Sequence, residues 1–213
     1  MEGASKIGMK RNKSSGRIGR PRSFDIDRAL DRALQVFWRK GYEGTSLSDL
    51  TKAVGVNRPS LYAAFGDKEA LFRKALNRYL IGPAAYTQEA LKESTARAVV
   101  ERLLRGAADL NTAPRNPRGC LMVQGALACG EEGDSIRQEL VACRAAGEAA
   151  LRRRLQRANS EGDLPADADP ADLARYIATV IYGMAVEAAG GASRDKLQGI
   201  VEMALRTLPL RTK

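Results

Sequence analysis

Residues 45–72, TSLSDLTKAVGVNRPSLYAAFGDKEALF, decide the reading of this chain. Ser46-Leu47-Ser48-Asp49 has the form of a capping box, in which a serine oxygen and an acid three residues on satisfy orphan amides at a helix start. A short helix is therefore expected from Leu47, with Leu50, Ala53 and Val54 on its inner face. Gly55 offers the left-handed backbone that ends it. Val56 plugs the turn and Asn57 can cap a second helix, in whose first turn Pro59 is tolerated because the amide it lacks would be unpaired there. That second helix carries Ser60, Leu61, Tyr62 and Phe65. Two helices joined in this way form a helix-turn-helix, whose second member can lie in the DNA major groove with its N-terminal residues at base edges.

Working outward, charge separates this region from the rest of the 213 residues. The chain has 35 Lys and Arg against 25 Asp and Glu, a net charge of +10. Residues 1–80 hold 17 of those cations and 8 of the anions, so nearly all the excess lies around the motif and the remainder is almost neutral. Phosphate neutralisation supplies most non-specific affinity for DNA, so a basic head on a neutral body suits a polyanion-binding module joined to an ordinary globular one. The sequence contains no histidine. That removes His-based acid–base catalysis and the zinc sites that use histidine, and Cys120, Cys129 and Cys143 form no CxxC pair. Neither a cofactor nor a metal is expected. With no apolar run near the ~20 residues that span a bilayer and no signal-peptide core, a cytoplasmic protein without membrane contact is expected.

Residues 1–22 are rich in Lys, Arg, Gly and Ser and read as a disordered basic arm. Within it, Gly19-Arg20-Pro21-Arg22 has the composition of an arm that enters a narrow minor groove, with Arg20 and Arg22 as the contacts, although a solvated tail explains it equally well. Residues 23–80 read as the DNA-binding domain. Ile26, Ala29, Leu30, Ala33, Leu34 and Phe37 follow helical spacing up to Gly41, Trp38 and Tyr42 complete a small core, and a further helix runs from Lys68 to about Leu80. Gly82-Pro83 marks a kink or junction. Residues 81–213 read as helical throughout, giving an all-α chain, with helices expected at Tyr86–Leu110, Leu121–Cys129, Ser135–Ala158, Pro170–Ala189 and Arg194–Leu208. In the last two, Leu173, Ile177, Ile181, Met184 and Ala188, with Val201 and Leu205, form broad apolar faces expected to pair two copies as a homodimer.

Phe37, Gly41-Tyr42, Thr45-Ser46, Asp49-Leu50, Ala53-Val54-Gly55-Val56, Ser60-Leu61-Tyr62, Phe65 and Lys68-Glu69-Ala70-Leu71-Phe72 together resemble the N-terminal half of the TetR family of bacterial transcriptional repressors. The resemblance covers about residues 24–80. It implies an all-helical homodimer with a three-helix DNA head, a larger ligand-binding and dimerisation domain, and repression of a double-stranded operator relieved by a small molecule or chemical event. Carried over by position, Thr45, Tyr62 and Lys68 match phosphate contacts, while Asn57, Arg58 and Ser60 fall where bases are read, Arg58 suiting guanine and Asn57 adenine. Pro59 stands where many members carry a small flexible residue, so base reading there can differ in detail.

Arg118-Gly119-Cys120-Leu121 resembles the Gly-Cys-Leu step of a subgroup that includes electrophile- and oxidant-responsive repressors. A helix start with Arg115 and Arg118 close in sequence favours a thiolate at Cys120. A buried cysteine is more often an inert small hydrophobe, and that reading is the favoured one. The competing sensor is a non-covalent pocket, for which Leu104, Ala108, Met122, Tyr176 and Met184 are the candidate lining. Three function classes follow: a ligand- or redox-responsive repressor, an effector-independent or architectural DNA-binding protein, and an enzyme on a helical bundle, which the missing histidines disfavour.

Overall fold

A computed structural model describes residues 25–127 and 133–210; the arm with Arg20 and Arg22, and Cys129, lie outside the described residues. Ten helices are described and no strand occurs among those residues. The all-α expectation holds.

The head is built by its caps. Asp25 accepts from the amides of Asp27 and Arg28 to start α1 (Ile26–Lys40). The Ser46–Asp49 capping box is complete at the head of α2 (Leu47–Val54), and Gly55 ends that helix at φ 81°, in the left-handed region. Asn57 caps α3 (Arg58–Phe65) and Asp67 caps α4 (Lys68–Ile81). Each cap satisfies donors that the first helical turn leaves open, worth about 1 kcal/mol per cap. Phe37 lies edge-on to Phe72 at 5.0 Å, and Trp38 edge-on to Tyr79 at 4.8 Å.

The body follows as α5 (Tyr86–Ala90), α6 (Ala96–Thr112), α7 (Leu121–Leu127), α8 (Asp134–Ser160), α9 (Pro170–Ala189) and α10 (Arg194–Thr207). The expected single helix over Tyr86–Leu110 is two helices. Thr95 caps α6 by accepting from Ala98, and Asp163 reaches across to accept from the Ala96 amide at 2.5 Å, so the break is stabilised at two of the new helix's first three donors. No helix among the described residues is long and apolar enough to cross a membrane.

Two apolar cores result. One joins α6, α9 and α10 to the C-terminal half of α8. The other belongs to the head but does not close at residue 80, because Leu121 of α7 and Ile136 and Leu140 of α8 are buried in it with Leu50, Leu61 and Phe72. Polar ties reinforce that seam. The Trp38 indole N–H donates to the carbonyl of Gly119 at 2.8 Å, the Gly133 amide to Glu43, Ser135 to Glu69, and Arg73 to Glu139.

The expected dimer face needs correction. Leu173, Ile177, Met184, Ala188, Val201 and Leu205 are buried within the protomer's own core, and Ile181 is packed against it. Helical spacing finds the apolar face of a helix but not which neighbour covers it. The exposed apolar residues of α9 and α10 are instead Tyr176, Val186, Ile200 and Met203.

Trp38→Phe keeps one aromatic ring but removes the pyrrole part of the indole and leaves the Gly119 carbonyl without its donor. Such a buried acceptor costs about 1–3 kcal/mol, so the free energy of urea unfolding should fall by at least that much, read as a lower midpoint at an unchanged m-value.

Candidate nucleic-acid interface and internal cavity

On the head, the N-terminal turn of α3 is presented to solvent. Asn57, Arg58 and Pro59 are exposed, and Ser60 and Tyr62 half-buried. The Asn57 carboxamide oxygen accepts from the Ser60 amide at 2.9 Å, leaving its NH2 group to face outward contacts. Arg58 folds along the helix, Nη2 3.2 Å from the Tyr62 hydroxyl and its guanidinium 5.5 Å from the ring centre. That contact holds an otherwise mobile side chain over the exposed turn. Lys68, in the first turn of α4, lies 4.4 Å from the centre of the Tyr42 ring.

Thr45 does not belong to this surface, contrary to expectation. Its side chain is fully buried and its hydroxyl donates to the Gly41 carbonyl at 2.6 Å, closing the end of α1. Behind the surface, the Lys40 ammonium is 2.6 Å from Asp49. That hydrogen bond, with those from the Ser46 amide and hydroxyl, holds the Asp49 carboxyl well below the usual carboxylate range, so the capping acid stays ionised. Arg32 donates to the carbonyl of Val54, tying α1 to the end of α2.

In the body, a cavity of about 550 Å³ opens between α4, α5, α6, the start of α7, α8 and α9. Its size falls within the ~300–1,000 Å³ of small-molecule sites. Tyr79, Tyr86, Asn111, Cys120, Met122, Cys143 and Arg144 are in its wall. Cys120 Sγ is 3.3 Å from the Tyr79 hydroxyl, and burial pushes both the Tyr79 and Tyr86 phenols up, so both remain protonated. Burial likewise raises the Cys143 thiol. Gly106 permits the close fit of Tyr86, since a Cβ there would lie 2.3 Å from its ring. Arg118 turns its guanidinium to the Ala192 carbonyl. Among the described residues no group of three metal-ligating side chains occurs.

Of the expected pocket lining, Cys120 and Met122 are in the wall. Leu104, Ala108 and Met184 are core residues instead, and Tyr176 is 47 % exposed on the outer face of α9. Sequence reasoning missed Tyr79, Tyr86, Asn111 and Arg144. Asn111 carried a signal: it falls at helical spacing on the apolar stripe of Leu104, Ala107 and Ala108, where a carboxamide is out of place.

Residues 29–75 match the family model described as bacterial regulatory proteins, tetR family, and residues 96–199 match that of the tetracyclin repressor-like C-terminal domain. The transcriptional repressor ComR of Escherichia coli K12 is 36% identical over 193 residues, 90% of this chain and 92% of that protein. A cysteine mutant of the TetR family transcriptional regulator CifR, solved with 26-base-pair double-strand operator DNA, is 45% identical with a TM-score of 0.85, covering 90% of this chain and 100% of that one. A TetR transcriptional regulator from Chloroflexus aurantiacus J-10-FL shares the fold alone, at 19% identity and a TM-score of 0.77 over 88% of this chain and 96% of that one.

Proposed function

This chain belongs to the tetR family of bacterial regulatory proteins, and on that premise we propose that it is a homodimeric repressor, released from a palindromic operator when a small molecule enters the cavity. It is read as a transcriptional regulator and not as an enzyme. Asn57, Arg58 and Ser60 read bases, while Tyr62 and Lys68 grip phosphates and the basic arm with Arg20 and Arg22 adds salt-sensitive attraction. The observation that supports release most is that the cavity and the head share parts. Tyr79 is at once in the cavity wall and in edge-on contact with Trp38, whose indole is bonded to the residue before Cys120.

α8 extends the same argument. Its first turns dock the head through Ser135 and Glu139, and its middle, from Cys143 to Leu151, lines the cavity. A ligand that prefers α8 displaced from its DNA-competent position shifts the equilibrium by that difference in affinity and no more. A cavity of this size favours an effector-responsive regulator over an architectural one. Cys120 in its wall is the candidate for a second trigger, attack of its thiolate on a bound electrophile, whereas burial keeps the Cys143 thiol protonated.

Dimerisation uses the exposed stripe of α9 and α10. Val186 is 50 % and Met203 55 % exposed, and exposed Gly183 lets a second helix approach closely. The double variant Val186→Asp with Met203→Asp should sediment as a monomer and bind operator at least tenfold more weakly, since two heads no longer engage together.

On a duplex selected from a random pool by the parent protein, Arg58→Ala should lose about 1–3 kcal/mol of sequence preference while its salt-dependent binding to random DNA persists. Unchanged discrimination removes Arg58 from the reading set. If Cys120→Ser leaves release of that duplex by a quinone unaltered, the covalent trigger fails and the non-covalent one stands.

A further inference from the structure

The cavity's own chemistry narrows what can occupy it; this inference rests on the effector reading above. Every charged side chain in the wall is on α8, and none is buried and unengaged. Arg144 donates to the Met122 carbonyl at 3.0 Å and lies 5.8 Å from the centre of the Tyr182 ring. Glu148 pairs with Arg175 at 3.8 Å, and Arg153 is exposed to solvent. A carboxylate or ammonium drawn inside would give up its hydration and would have to displace one of these contacts to reach a counter-charge, Arg144 for an anion or Glu148 for a cation.

The neutral polar groups are specific. Asn111 is 2 % exposed, lies in the cavity wall, and its carboxamide oxygen has no hydrogen-bond partner. Its backbone carbonyl accepts from the Gly119 amide at 3.1 Å, which places the residue beside Cys120 and so near the Tyr79 hydroxyl. A buried amide oxygen left open is rare in a folded protein and points to a group that completes it. Half a turn about its terminal bond exchanges the oxygen for the NH2 group, so the carboxamide can accept from or donate to an occupant. Tyr86, across from α6, adds a protonated phenol. A hydroxyl donates and accepts through one oxygen, so it can complete the open Asn111 oxygen while accepting from the Tyr86 phenol.

We propose that the cavity takes a neutral, largely apolar molecule bearing a hydroxyl, an alcohol or a phenol, received by the Asn111 carboxamide and the Tyr86 hydroxyl. The apolar part packs against Leu103, Val123, Leu151 and Ala178. The test uses the full-length protein and three probes of one shape, 4-butylphenol, butylbenzene and 4-butylbenzoate, with affinity measured by calorimetry. The phenol should bind at least about tenfold more tightly than the hydrocarbon and the anion, the factor expected of a paired buried hydroxyl.

Asn111→Leu should collapse the phenol-over-hydrocarbon preference to below about threefold, with hydrocarbon affinity retained. Tyr86→Phe, which removes one oxygen and keeps the ring, tests the same preference if Asn111→Leu loses its helical circular dichroism. The proposal is overturned if the benzoate binds as tightly as the phenol, if the phenol shows no preference or no binding, or if the preference survives both substitutions. Release of the selected duplex is followed in the same samples. Asn111-dependent phenol binding with the duplex still held upholds the ligand class and sinks ligand-driven release; duplex release by butylbenzene or the benzoate, without a phenol preference, does the reverse.

Discussion

The hydrogen bond from the Trp38 indole to the Gly119 carbonyl is the constraint on which the arrangement of this protein depends. It joins the first helix of the head to the residue that opens α7, across 81 positions of sequence, inside a seam closed to water. A bond between neutral groups contributes only about 1 kcal/mol net, but neither partner can find water if the seam is opened without unfolding. The bond therefore favours one relative position of head and body and is lost if the seam shifts. Gly119 is the residue that permits it: its φ of 85° is left-handed, and a Cβ there would lie 2.6 Å from Gln124 and 3.0 Å from the Ala185 carbonyl.

From that seam the ligand domain is reached in one step. Cys120 follows Gly119 and meets Tyr79, which is itself part of α4 and so of the head's core. The polar fastenings at the start of α8 run parallel to it. The cavity and the head are built from the same helices, α4 and α8, so the proposed release would need no long chain of residues between them.

How legible was this in the sequence? The head was readable almost to the residue, since its signals are local: the capping box at Ser46, the left-handed Gly55 and Asn57 before Pro59 each act within four residues of themselves. Where a role depended on the far side of a helix, local pattern was not enough. Thr45 looked polar and available but closes α1 from inside. The apolar faces of Leu173 and Ile177 on α9 and of Val201 on α10 follow from periodicity, yet periodicity cannot tell an intramolecular neighbour from a second copy. The break before α6 is capped locally by Thr95 but also fastened by Asp163, 67 positions away from the amide it accepts from, and no local signal carries that second contact. Asn111 was legible in principle as a polar intruder in an apolar stripe.

Gly106 carries a consequence for how such a pocket diversifies. The Tyr86 ring leans on α6 only because one methyl group is missing there. Restoring that methyl would tilt the ring toward the vacant space and shorten the longest occupant the protein admits, with the seam around Trp38 left untouched. The shape of the pocket at this end thus hangs on a single backbone position of α6 that takes no part in the bond between Trp38 and Gly119.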